Sequence, residues 1–180
     1  IRAVWPMSDF SNLSVFYRYF QEEVSSYLFD SGYNLADDYN ADKSEIGYSY
    51  VIDTRDDYID TTSGWTFSFG QDVAGLLGDS EYIRSTTGGK YYYEIAQNWV
   101  LNVGANAGYV YNYSNKKLRI NDRFFKGGTT FRGFARAGVG PKELITDRPR
   151  GAEFFAIGTI ELTIPIGLPD EFGLKTAIFS

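Results

Sequence analysis

The sequence predicts an all-β fold: an antiparallel meander of about eight strands that forms part of a transmembrane β-barrel. Polar and apolar residues alternate with a period of two over several long segments, which sorts them onto the two faces of a strand. No apolar run approaches the roughly 18 residues that a membrane helix needs. Aromatics make up 18% of the chain, with 15 Tyr, 14 Phe and 19 Gly. Tyr, Phe and Gly in alternating segments without a long apolar run are the signature of a membrane β-barrel. Composition alone leaves a soluble β-sandwich equally open. The 180 residues suit one domain, taken as residues 1–180. The chain starts at Ile1 and stops at Ser180 inside an apolar run, so it is expected to be an internal piece of a longer protein.

Residues 1–7 read as the tail of a strand and 13–29 as a strand of less regular alternation. In residues 43–54, Ile46, Tyr48, Tyr50 and Ile52 oppose Lys43, Glu45, Ser49 and Asp53. In residues 65–73, Trp65, Phe67 and Phe69 oppose Thr66, Ser68 and Asp72. Residues 81–95 are strand-like but irregular. The pattern is clearest in 99–113, where Trp99, Leu101, Val103, Ala105, Ala107, Tyr109, Tyr111 and Tyr113 form one face and Asn102, Gly104, Asn106, Gly108 and Asn112 the other. That length exceeds the roughly 9–11 residues that cross a bilayer as a strand. Its apolar face carries no charge, as lipid contact requires, since a midplane Lys or Arg costs about 2–4 kcal/mol. Residues 152–166 repeat the design, with Phe154, Ile160, Leu162 and Ile164 opposite Glu153, Thr159, Glu161 and Thr163. Residues 173–180 open another strand. The connections are long and acidic at 30–42, less so at 75–80, and short at 8–12, 96–98 and 167–172. Long loops at one end and tight turns at the other are how outer-membrane barrels are organised.

The net charge of −6 argues against nucleic acid as a partner. The absence of Cys and His removes disulfides, thiolate metal sites, the commonest zinc ligands and Ser-His-Asp or Cys-His catalysis. Glu153 and Glu161 share a strand face about 27 Å apart, too far for a carboxylate pair working at about 5–10 Å. Asp53, Asp56, Asp57 and Asp60 lack the spacing and glycine of an EF-hand and read as a solvated turn ending at Ser63-Gly64. Gly127-Gly128 follow Lys126 instead of preceding it, and no helix follows, so they are not a phosphate loop. No enzyme chemistry, cofactor or metal is expected.

Residues 121–141 read N-D-R-F-F-K-G-G-T-T-F-R-G-F-A-R-A-G-V-G-P. Glycine at this density serves tight, left-handed backbone, so the segment is a long loop between strands. Its Arg132 has a candidate acidic partner in Glu161, which the alternation turns to the polar face; the pair could form a two-pronged charge-assisted bond. On the residues alone, a hydrated Glu161 and a solvated Arg132 stay open.

The strings Asp122-Arg123-Phe124-Phe125-Lys126-Gly127-Gly128, Arg132-Gly133-Phe134 and Gly138-Val139-Gly140-Pro141 stand in order before Gly158-Thr159-Ile160-Glu161-Leu162-Thr163-Ile164-Pro165. Together they resemble the BamA family of outer-membrane assembly factors. Its superfamily includes TamA, the mitochondrial sorting-and-assembly barrel and two-partner-secretion transporters. Asp53-Thr54-Arg55-Asp56 with Ser63-Gly64 resembles the family's short periplasmic turn without its usual proline. The resemblance implies a sixteen-stranded barrel preceded by POTRA domains, with this chain supplying middle-to-late strands. It implies that the loop at about 121–151 folds back into the lumen and is anchored by Arg132, Gly133, Phe134 and Glu161. Phe124, Gly127, Gly128, Gly140 and Pro141 would shape the loop backbone. Gly133 is expected to let the backbone approach the wall, and Phe134 to add apolar contact.

The implied function is folding and insertion of β-barrel proteins into a bacterial outer membrane. The implied partners are membrane lipid, unfolded β-barrel substrates and accessory lipoproteins. A TamA-type or two-partner-secretion pore is the alternative, and a porin or adhesin the more distant one. Half a barrel leaves open edges that lipid does not tolerate. Closure into a small barrel or edge pairing between chains is therefore expected of the isolated piece.

Overall fold

A computed structural model describes residues 1–24, 39–114, 117–144, 147–165 and 176–180. Among these, the chain forms eight strands: β1 (Arg2–Ser8), β2 (Ser11–Val24), β3 (Tyr39–Asp53), β4 (Gly64–Gly78), β5 (Tyr82–Ala96), β6 (Trp99–Asn112), β7 (Phe154–Ile164) and β8 (Thr176–Phe179). They make one antiparallel sheet in the order β1-β2-β3-β4-β5-β6-β7-β8, an uninterrupted meander. The sheet ends at β1 and β8, which do not pair with each other, so the expected closure into a small barrel is not seen among the described residues.

The alternation sets the register. Leu101 stands opposite Leu162, Val103 opposite Ile160 and Ala105 opposite Gly158 on one face, while Asn102 meets Glu161 and Gly104 meets Thr159 on the other. A slip of one residue would exchange the two faces, so the pattern fixes the pairing. The apolar row points away from the interior: Ile160 is 55% exposed, and Phe67, Val103, Tyr109 and Phe154 are exposed with it. A soluble sandwich would enclose this row in a dry core. An apolar exterior around a polar inner face is instead the layout of a wall standing in lipid.

Two expectations need adjustment. The segment 75–80 is mostly strand, because β4 continues to Gly78. The register shifts there, with Lys43 opposite Gly78 but Glu45 opposite Ala74. Gly75 and Gly78 adopt positive φ at this bulge, which is why the segment reads as a turn in sequence. The connection to β5 is residues 79–81 alone. β7 starts at Phe154, since Ala152 forms an isolated bridge to Phe124. The expected strand extension over 25–29, the acidic stretch 30–38, Ile166, the turn 167–172 and residues 173–175 lie outside the described residues.

A small apolar core sits at one end of the inner face. Ala74, Tyr82, Val110 and Leu118 are buried together, with Phe124 against them. Leu118 and Phe124 belong to the connection between β6 and β7 and lie on that face. The only helical element among the described residues is a 3-10 turn, Ile120–Asp122, in this crossing.

Candidate functional site

The crossing is built as a neck and a tip. At the neck, Phe124 and Ala152 exchange both backbone hydrogen bonds at 2.8 Å. The Phe124 ring meets the Phe155 ring of β7 edge to face, with centroids 4.8 Å apart. Gly108 on β6 leaves the space they use: a Cβ there would stand 2.9 Å from Phe124 Cζ and overlap the Phe155 ring. The Lys126 ammonium lies 3.8 Å from the Phe155 ring centroid, and burial pulls its pKa below the ordinary lysine value. Between loop and wall is a polar cavity of about 300 Å³ lined by Ser68, Thr86, Asn106, Lys126 and Thr130.

The glycines close the tip on itself. Gly128 N–H donates to Phe134 O at 2.9 Å, and Val139 N–H to Lys126 O at 3.1 Å. Gly127 has φ +124, and a Cβ on it would collide with Ala135 O and Gly138 N, so no side chain fits. Gly140 precedes Pro141, whose carbonyl accepts Arg150 N–H at 2.9 Å.

Arg132 projects from this tip, and its Nη1 donates to Glu161 Oε2 at 2.7 Å. The guanidinium also lies 5.4 Å from the ring centroid of Phe179, which faces Glu161 across the β7–β8 ladder. The contact is one hydrogen bond, not the two-pronged fork anticipated; within residues 1–180 the side chains are 61% and 22% exposed. Gly133 differs from expectation too. A Cβ on it would meet nothing within 4 Å, so it does not bring the backbone against the wall; its φ of +86 is what requires glycine. Phe134 stacks on Phe131 within the loop, at 4.8 Å and 16°, and is half exposed.

Sequence reading missed a buried charge cluster beside the neck. Glu45 accepts hydrogen bonds from the Tyr82 hydroxyl and from Arg18. It lies 3.4 Å from Lys43 and 3.8 Å from Arg84, and Arg84 pairs with Asp72 at 2.7 Å. Lys43 also donates to Asp122 of the 3-10 turn. Buried charges persist only when paired in this way. The alternation placed Lys43, Glu45 and Asp72 on the polar face. Arg18 and Arg84 lie on the irregular segments, and nothing in the sequence joined Asp122 to a residue 79 positions earlier.

At the opposite end, the acidic turn is held by its own carboxylates. Asp56 accepts from Thr62 and Ser63, and Asp57 from Ile59 and Asp60. The Thr62 hydroxyl and the Ser63 N–H hold Asp56 well below the usual carboxylate range. Among the described residues no acidic cluster is arranged to hold a metal ion.

Comparison with known proteins places this geometry. The Omp85 superfamily domain matches residues 5–180. The outer membrane protein assembly factor BamA of Neorickettsia risticii is 34% identical over 137 residues, covering 76% of this chain and 18% of that protein. A SAM50-like protein of Schizosaccharomyces pombe is 30% identical over 107 residues, covering 56% of this chain and 22% of its own length. The sorting and assembly machinery component 50 homolog of Mus musculus is 28% identical over 139 residues, 76% of this chain and 28% of that protein. The chain thus spans between 18% and 28% of these relatives. The crystal structure of BamA from Haemophilus ducreyi lacking POTRA domains 1–3 superposes with a TM-score of 0.83 over 99% of this chain and 39% of that one, at 15% identity, a likeness of fold. With the family pattern running through nearly all of its length, the chain belongs to the Omp85 superfamily.

Proposed function

We propose that this chain is the wall and inserted loop of an outer-membrane protein assembly factor, one that folds and inserts β-barrel proteins into a bacterial outer membrane. The observation that carries the reading is the glycine-rich loop folded onto the polar face, with Arg132 on Glu161, in a sheet whose other face is apolar. The relatives named as assembly factors supply the process, and the bacterial relative has the higher identity of the two. Residues 1–180 act in it as one barrel portion.

In this reading Arg132, Gly133, Phe134 and Glu161 anchor the loop, and Phe124, Gly127, Gly128, Gly140 and Pro141 shape its backbone. Ordering a loop costs about 1–2 kcal/mol per residue, which the neck hydrogen bonds, the Phe124–Phe155 pair and the Arg132 tether offset together. The partners are outer-membrane lipid, unfolded β-barrel chains and accessory lipoproteins. Substrate strands add to a sheet edge by backbone hydrogen bonding. No covalent bond changes, so no catalytic residue or cofactor enters.

The test is reconstitution of the full-length protein in liposomes with a urea-denatured β-barrel substrate. Substrate should become protease-resistant and membrane-inserted, more slowly with Arg132→Ala. Insertion no faster than in empty liposomes, together with export of a soluble partner through the pore, would favour a two-partner-secretion or TamA-type role instead.

A further inference from the structure

We propose that Lys43 and Asp122 are positioning residues that make the start of the loop a part of the wall: residues 118–126 complete two clusters begun by β3 to β6, so that this part of the wall and the loop pack as one unit. The inference goes beyond the assembly reading and stands without it.

The first cluster is apolar. Ala74, Tyr82 and Val110 come from β4, β5 and β6, and Leu118 of the loop is buried with them. The second is charged. The Lys43 side chain is 4% exposed and that of Asp122 1%. The Lys43 ammonium lies 5.5 Å from the Phe20 ring centroid and 5.0 Å from that of Tyr82. Its acidic neighbours among the described residues are Asp122 and, at 3.4 Å, Glu45. Glu45 is already engaged by the Tyr82 hydroxyl, Arg18 and Arg84. Lys43 donates its hydrogen bond to Asp122 of the loop. Ser80, in the short β4–β5 connection, donates to the other Asp122 oxygen at 3.4 Å. Both clusters are buried on β3 to β6, away from the two ends of the sheet, so chain beyond residues 1–180 can only add to their cover.

The neck fastens the same segment to the far side of the sheet. Two residues beyond Asp122, Phe124 exchanges backbone hydrogen bonds with Ala152 and packs on Phe155, and the Lys126 ammonium lies over that ring. On the near side, Asn121 donates to Glu22 of β2 at 2.9 Å. Held from β2 to β7, the segment does not lift away when one charge of the pair is lost. The remaining charge stays enclosed, and a stranded buried charge is far more costly than the absence of both. That cost falls on the strands around it, β3 and β4.

A double-mutant cycle read by hydrogen exchange on the full-length, membrane-reconstituted protein tests this. Leu77 N–H donates to Ser44 Oγ at 2.7 Å and Asp79 N–H to Asp42 O at 2.8 Å, so both amides report the tie between β3 and the end of β4 beside Lys43. Lys43→Met and Asp122→Leu each strand one charge, and each should speed exchange at these amides about a hundredfold. The double variant removes both charges and should return exchange to about the wild-type rate. The amides of Phe124 and Ala152 report the neck and should stay protected in all three variants. Should a single variant fail to insert in the membrane, the double variant decides, and it should insert. Wall amides unchanged in both single variants, a neck that opens with either, or a double variant that exchanges as fast as the singles or does not insert would overturn the proposal.

Discussion

Replacing Gly108 by alanine should loosen the loop without touching it. The added Cβ would overlap the Phe155 ring edge and stand 2.9 Å from Phe124 Cζ. Neither ring can retreat freely. Phe155 lies on β7 in register with Gly108 itself. Phe124 is fixed by two backbone hydrogen bonds to Ala152. Overpacking of this kind costs roughly 1–3 kcal/mol, and the strand preference of alanine over glycine cancels because position 108 stays in β6 whether or not the loop is docked. That cost of about 1–3 kcal/mol shifts the ratio of docked to undocked loop by roughly 5- to 160-fold. Limited proteolysis of residues 113–153 in the full-length protein measures this as a rate of cleavage. Gly158→Ala is the control: it lies on the exposed face, and its nearest neighbour is Gly104 O at 4.0 Å. Equal protection in Gly108→Ala and wild type, or equal loosening in Gly158→Ala, would refute the aromatic seat.

Ile160→Arg on the outward row should cost about 2–4 kcal/mol if it lies near the bilayer midplane, read as a lower urea midpoint in lipid, whereas Thr159→Ser on the inner face should be close to neutral. Arg132→Ala removes the single Arg132–Glu161 hydrogen bond and should lower the temperature of loop release; a lower release temperature at high salt in the wild type, but not in the variant, checks it. Asp56 has a depressed folded-state pKa, so its contribution to the 54–63 turn is complete above the ordinary Asp value of about 3.9 and fades only as pH falls through the lower folded value. NMR titration of its carboxylate should give a midpoint below about 3.9, and a midpoint at or above it would contradict the capping role.

Much of the wall is legible in the chain. Wherever one face meets lipid and the other meets polar groups, as in 99–113 and 152–166, the period of two is enforced at every residue and reads directly. Glu161 is turned inward by that rule alone. Legibility falls where other forces decide. At residues 75–80 glycines that look like a turn serve a bulge, because conformational freedom is the same signal in both. The two-pronged Arg132 contact is a single hydrogen bond instead, since residue types cannot fix the angle at which two side chains meet. The Lys43–Asp122 pair is not legible in the sequence because it depends on the loop crossing back toward β3, a long-range path that no local spacing encodes. At Gly133 the demand for glycine comes from a φ of +86 and not from proximity to the wall, and residue type alone does not separate the two.

The most direct test of the loop folded onto the inner wall is a thiol cross-link in the full-length protein in its own membrane. Residues 1–180 contain no cysteine, so within them only the introduced pair can be linked. Arg132→Cys with Glu161→Cys should join through a short bis-maleimide, while Arg132→Cys with Ile160→Cys, one residue away but on the lipid side, should not. Linkage to position 160 in place of 161, or to neither, would contradict the account.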